Sequence, residues 1–195
     1  MTTIRTVAVI GAGQMGSGIA QVVAAGGYEV KLYDIASDRV TLALGEIAAS
    51  LARRAARGLS SEAEAQAALQ RITAVKTLAE AAEADLIIEA ASEEEAVKKG
   101  VFTELTPLLG PDTLLASNTS SISITRLASV TDRPERFIGL HFMKPAPTMK
   151  LVELVRGIAT SASTFETAVA FAESLGKIIT ESEDFPAFIV NRILV

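Results

Sequence analysis

Four apolar residues at 7–10, VAVI, run into the glycine turn GAGQMG and then directly into a helical pattern through Ile19, Ala20, Val22 and Val23. This feature constrains the fold more than any other in the chain. A short strand without polar alternation is the kind buried on both faces of a parallel sheet. Of the three glycines, Gly11 permits the tight turn, Gly13 lets a pyrophosphate approach the backbone, and Gly16 allows the helix to pack closely on the strand. The amino terminus of that helix, starting with Gln14 and Met15, presents oriented N–H groups and partial positive charge to an anion. On its own the glycine pattern is weak. It gains force from a second strand, EVKLYD, which ends in Asp34, 18 residues beyond Gly16. A carboxylate there can accept hydrogen bonds from a ribose 2′-hydroxyl and would repel a 2′-phosphate, so NAD is expected rather than NADP. The bland alternative makes Asp34 a cap for the next helix.

The rest of the chain extends the same alternation. Helical spacing covers 37–57 and 59–72, strands are expected near 72–75, 85–89, 113–117 and 137–141, and helices near 94–108 and 122–130. The expected fold class is therefore α/β: a doubly wound, Rossmann-type, mostly parallel sheet with helices on both faces and a helix pair inserted after the second strand. Beyond residue 141 a weakly alternating segment at 149–155, a helix at 164–175, a short strand at 177–180 and the start of an apolar helix follow. With 195 residues, 49% hydrophobic and 21% charged, the chain can bury one substantial core. A net charge of −5 spread along the chain argues against nucleic acid, and no apolar run is long enough to argue for a membrane. The absence of cysteine and the presence of one histidine disfavour a metal site; with no targeting segment, they fit a cytoplasmic protein.

That one histidine, His141, lies in GLHFMKPAPTMKLVELV at the exit of a strand, where a packed structural imidazole is the commoner reading. Pro145 and Pro147 are expected to force an extended loop, after which Glu153 shares the period-2 face of Leu151 and Val155. An acid on an apolar face needs a partner. If the two strands bring Glu153 to His141, the carboxylate fixes the tautomer and orients the ring, a pair suited to moving a hydroxyl proton beside a nicotinamide. Between the two motifs lies ASNTSSISIT, a hydroxyl-rich strand end on the ligand-binding edge of such a sheet; the alternative reading makes Ser120 or Ser121 a helix cap. SLARRAARG places Arg53 and Arg57 four residues apart on one helix face, fit either to clamp phosphate oxygens or to sit in solvent near a helix end.

The segments GAGQMGSGIA, ASNTSS, GLHFMKPAPTMKLVE and DFPAFIVNR, in this order and spacing, resemble the L-3-hydroxyacyl-CoA dehydrogenases, most closely the short-chain 3-hydroxybutyryl-CoA type. The resemblance covers essentially the whole chain. It implies NAD-dependent interconversion of a short-chain (S)-3-hydroxyacyl-CoA and its 3-oxoacyl-CoA in fatty-acid β-oxidation chemistry. It assigns His141 as acid/base, Glu153 as its partner, and Ser120 and Asn191 as hydrogen-bonding groups near the substrate, with Ser120 also beside the cofactor. Glu93 and Lys98 align with cofactor contacts, and Ser50 and Arg57 with contacts to coenzyme A, which moves the basic helix with Arg53 towards function. Two departures stand out: Lys144 replaces an asparagine that contacts the cofactor in the family, and Ala187 replaces a glycine.

The resemblance further implies residues 1–184 as the NAD-binding domain and 185–195 as the start of a second, helical domain that forms a homodimer in the family and is missing here. The chain is thus expected to be a fragment that binds NAD, with little turnover. Two alternatives remain: a non-catalytic NAD-binding module, and a dehydrogenase of another 3-hydroxy acid such as a sugar acid.

Overall fold

The structure, a computed structural model, describes residues 3–185 and 188. Its strands are β1 (Thr6–Ile10), β2 (Glu29–Tyr33), β3 (Ile72–Ala74), β4 (Leu86–Glu89), β5 (Leu114–Ser117), β6 (Phe137–Phe142), β7 (Leu151–Arg156) and β8 (Ile178–Glu183). Its helices are α1 (Gln14–Ala25), α2 (Ser37–Ala56), α3 (Glu62–Gln70), α4 (Leu78–Ala82), α5 (Glu95–Leu105), α6 (Ile124–Ala128) and α7 (Ala162–Ser174). One sheet holds all eight strands in the order β3-β2-β1-β4-β5-β6-β7-β8. The first six run parallel; β7 pairs antiparallel with β6, and β8 parallel with β7. The expected doubly wound α/β architecture is present, with α2 and α3 as the helix pair after β2.

Period-2 side-chain direction divides the core between the two faces of the sheet. Val7, Val9, Leu86 and Ile88 face α1, α2, α3 and α7, where Ile19, Val23, Ile47 and Phe171 close the cluster. Ala8, Ile10, Ile87 and Leu115 face α4, α5 and α6, meeting Phe102, Leu105 and Leu127. Phe102 and Phe137 stack edge to face at 4.7 Å between ring centroids. A strand covered on both sides must be apolar throughout, which is why β1, β4 and β5 read as runs rather than alternations.

Local chemistry sets the element ends, and in places differs from expectation. Ser61 and Glu64 form a reciprocal capping box at α3. The cap of α6 is Ser123, which accepts from Arg126 N–H, rather than Ser120 or Ser121. Asp184, after β8, accepts from Ile124 N–H at 2.8 Å, Thr125 N–H at 2.8 Å and Ser123 Oγ at 2.7 Å, tying the end of β8 to the start of α6. The proline loop is a compact turn rather than extended, because Pro145 O accepts from both Thr148 and Met149 N–H. Lys177 Nζ donates to Ala146 O and Met149 O at 2.7 and 2.8 Å, which pins this turn to the foot of β8. Burial, then the nearby Arg54 charge, push the Lys177 ammonium below its usual range. Among the described residues no helix is long and apolar enough to cross a membrane, and no group of three or more His, Asp or Glu could hold a metal ion.

Candidate active site

The glycine turn is shaped by contacts that exclude side chains. Gly11 has φ +104°, and a Cβ there would lie 2.7 Å from Ala90 O; a Cβ on Gly16 would lie 1.7 Å from Gly11 O. Only bare backbone fits at either place. At Gly13, by contrast, an added Cβ meets nothing within 4 Å. Gly13 is also the N-cap of α1 and supplies no side-chain cap, unlike Ser61, Thr77, Ser123 and Ser161 at α3, α4, α6 and α7. The first N–H groups of α1 therefore face an open space without an internal partner, an arrangement matched to phosphate oxygens.

Asp34, just beyond β2, does not act as the cap of α2, whose N-cap is Ala36. Its Oδ2 accepts from Ala12 N–H at 2.8 Å and its Oδ1 from Ala36 N–H at 2.9 Å. The two bonds fix the carboxylate against the glycine turn and leave each oxygen a lone pair for a further donor such as a hydroxyl.

A cavity of about 930 Å³ opens along the carboxyl ends of the parallel strands. Its walls include Gly11, Gly13, Gln14, Met15 and Asp34 on one side of β1, and Glu93, Lys98, Ser120, His141 and Lys144 on the other. These are all the cofactor-contact candidates except Gly16, which lies beneath the turn. The open Gly13, the uncapped helix and the ribose-competent carboxylate, in a cavity of this size, fit a dinucleotide.

Beyond β5 the hydroxyl-rich segment is organised by one acid. Glu93 Oε1 accepts from Thr119 Oγ1 at 2.6 Å, Ser120 N–H at 2.7 Å and Ser120 Oγ at 3.0 Å. Partial burial pushes the Glu93 carboxyl up, but these bonds and the Lys98 charge outweigh it and hold it below the usual carboxylate range. Ser120 is thus a tethered hydroxyl on the cavity wall.

His141 and Glu153 face each other across the antiparallel β6–β7 pair, in register. His141 Nδ1 donates to Glu153 Oε2 at 2.7 Å; Glu153 is fully buried and the His141 side chain retains 10% exposure. The carboxylate only accepts, so Nδ1 carries the proton and Nε2 is the nitrogen left to exchange one. Asn118 Oδ1 accepts from Phe142 N–H at 2.9 Å and fixes the strand end next to the histidine. Phe188 lies 6.1 Å from the imidazole, ring to ring. Ala187 and Asn191 fall outside the described residues.

The coenzyme A candidates divide. Ser50 and Arg53 line a second cavity of about 370 Å³ with Gln14, Gln21 and Pro147, between α1, α2 and the proline turn. Arg57 is the exposed C-cap residue of α2 and lines neither cavity. One helical turn separates them, but α2 ends between.

Several residues of the site carried no expectation. Asn118 stood inside a quoted motif without a role. Glu89 could have been noticed as an acid closing the buried strand LIIE; it is fully buried and accepts from Ala91 N–H, Ser117 Oγ and Lys98 Nζ. Ile35, 93% exposed immediately after Asp34, and Arg39 also line the larger cavity.

Comparison with known proteins agrees with this geometry. Residues 6–185 match the family described as 3-hydroxyacyl-CoA dehydrogenase, NAD binding domain. The chain is 54% identical over 192 residues to a 3-hydroxybutyryl-CoA dehydrogenase of Bradyrhizobium diazoefficiens, covering 98% of this chain and 66% of that protein. It is 47% identical to a 3-hydroxyadipyl-CoA dehydrogenase of Escherichia coli, covering 99% of this chain and 41% of that protein. The solved structure of an (S)-3-hydroxybutyryl-CoA dehydrogenase from Ralstonia eutropha superposes with a TM-score of 0.96 at 42% identity, covering 98% of this chain and 68% of that one. The chain thus spans about two thirds or less of the length of these relatives. With a dinucleotide turn, an acid after β2 and a histidine–glutamate pair in one cavity, the chain belongs to the 3-hydroxyacyl-CoA dehydrogenase family, of which it carries the NAD-binding domain.

Proposed function

We propose that this domain carries out the chemistry of an NAD-dependent dehydrogenase that interconverts a short-chain (S)-3-hydroxyacyl-CoA and the 3-oxoacyl-CoA. The observation that carries the reading is the His141–Glu153 pair at 2.7 Å, opening on the same cavity as Gly13 and Asp34. The cofactor, when bound, takes up or returns the hydride. Gly11, Gly13, Gln14, Met15 and Gly16 form its phosphate turn, Asp34 accepts from its ribose, and Glu93, Lys98, Ser120 and Lys144 line the wall nearer the histidine. His141 Nε2 receives the proton of the 3-hydroxyl during oxidation and returns it in reduction. Glu153 keeps the ring oriented and balances the positive charge it acquires. Ser120, held by Glu93, donates towards the substrate oxygen, and Asn191 joins it there by family resemblance. Ser50 and Arg53, with Arg57 at the C-cap of α2, serve coenzyme A. The whole protein works in the cytoplasm as a homodimer, with residues 1–184 as the NAD-binding domain and 185–195 leading into the helical one.

Mixing the protein with acetoacetyl-CoA and NADH tests this directly: loss of NADH absorbance is expected. Cofactor binding without turnover on this substrate would favour a pure binding module, and turnover only on a sugar acid would favour the other dehydrogenase class. The names of the relatives, which include 3-hydroxybutyryl-CoA and 3-hydroxyadipyl-CoA dehydrogenases, support the acyl-CoA reading.

Cofactor choice is a separate expectation. Binding titrations should show NAD preferred to NADP by about tenfold or more, since the Asp34 carboxylate repels a 2′-phosphate. Asp34→Asn should narrow the preference while weakening NAD binding. A native preference for NADP would overturn the assignment of Asp34.

A further inference from the structure

Behind the cavity wall lies Glu89, a buried acid that the proton-transfer scheme does not use. Glu89 ends β4 directly beside Ile10 of β1 and Ser117 of β5, on the face covered by α5. From α5, Lys98 reaches back into this position and is 1% exposed. Its Nζ donates to Glu89 Oε1 at 2.8 Å and Oε2 at 3.1 Å, and lies 3.4 Å from Glu93 Oε2. Glu89 also accepts from Ala91 N–H at 2.7 Å and from Ser117 Oγ at 2.6 Å. The buried carboxylate thus accepts from three donors, as an ion in such a place requires.

The charge balance of this cluster follows from its geometry. Two carboxylates face one ammonium, so one negative charge remains. The closer partner of Lys98 is Glu89, in the core, which leaves Glu93 only partly compensated at the cavity wall, its side chain 41% exposed. The nicotinamide ring is cationic when oxidised and neutral when reduced. We propose that Glu89 is a positioning residue that draws the Lys98 charge into the sheet, so that the Glu93 charge stays only partly neutralised towards the cavity and biases it to bind the oxidised cofactor. This rests on the cavity being the NAD site, as proposed above. Lys144 also lines the cavity and is left unaltered throughout the test.

The readout is the ratio of dissociation constants, Kd for NAD+ over Kd for NADH, measured by titration calorimetry with the two pure nucleotides. In Glu89→Gln, Lys98 is released to neutralise Glu93, and the ratio is expected to rise about fivefold, the order of effect of removing one unit charge across a partly screened site. A folded variant with an unchanged ratio overturns the proposal. Should Glu89→Gln fail to fold, the double variant Glu89→Gln, Lys98→Met decides. Replacing a buried ion pair by neutral side chains is commonly tolerated, and Glu93 then keeps its charge. The double variant should hold the ratio within about twofold of the native one; a larger change overturns the proposal. If the native domain binds neither nucleotide, the assignment of the cavity fails instead, so the two failures are distinguishable.

Discussion

Replacing His141 by alanine is expected to lower kcat/KM for acetoacetyl-CoA reduction by about 10³-fold while leaving the dissociation constant of NADH within about twofold of the native value. The separation follows from where the ring sits. His141 stands at the end of β6, with Nδ1 fixed on Glu153, and no backbone group of the glycine turn depends on it. Deleting the imidazole removes the group that exchanges the hydroxyl proton; the phosphate turn and the Asp34 carboxylate remain as they were. Glu153→Gln is a milder test of the same pair. It keeps an oxygen opposite Nδ1 but removes the countercharge, and because Glu153 is fully buried its loss is not replaced by water. An intermediate fall in kcat is expected, with KM less affected. Turnover unchanged in His141→Ala would remove the mechanism altogether.

The second large effect separates folding from cofactor binding within one motif. Gly16→Val places a Cβ 1.7 Å from Gly11 O, a collision of the side chain's fixed first carbon with backbone that no rotamer relieves. Helix α1 must move off β1, and a loss of roughly 1–3 kcal/mol or more in stability is expected by chemical denaturation, together with loss of NADH binding. At Gly13 an added Cβ has no neighbour within 4 Å, and the backbone there, at φ −73° and ψ −172°, is a conformation that valine accepts. The stability of Gly13→Val should stay within about 0.5 kcal/mol of native while NADH affinity falls by about 100-fold, because the side chain stands where the phosphates approach. A Gly13→Val variant that binds NADH normally would show that the open space over Gly13 is not the phosphate site.

Much of the fold could be read from periodicity because the physics behind it is local. An apolar run without alternation marks a strand covered on both sides, and β1 was visible for that reason. A helix with apolar residues every three or four positions, such as α2 with Val40, Leu44, Ile47 and Leu51, was equally plain. The five-residue α4, LAEAA, was missed: it is too short to show a period, and its burial comes from packing against β1 and β2. Ser120 was weighed as a cap because the sequence holds several hydroxyls in a row; only the position of α6 relative to β8 makes Ser123 and Asp184 the capping groups. The proline turn was expected to be extended from proline's fixed φ alone, yet Lys177, distant in sequence, holds two of its carbonyls.

The site shows the same division more sharply. By itself the sequence determined the residue types that make a dinucleotide turn: glycines where a Cβ would strike backbone, and an acid at the end of the next strand. Those are consequences of chain geometry over a few residues and need no distant partner. It also supplied a histidine and a glutamate 12 residues apart, but not their meeting. Only the tertiary structure decided that β7 runs against β6 in the register that sets His141 opposite Glu153. It likewise decided that Lys98 pairs with Glu89 in the core, and that Arg53 rather than Arg57 shares a cavity with Ser50. Pairing register and buried charge balance depend on elements far apart in the chain, so no local pattern of residues can specify them.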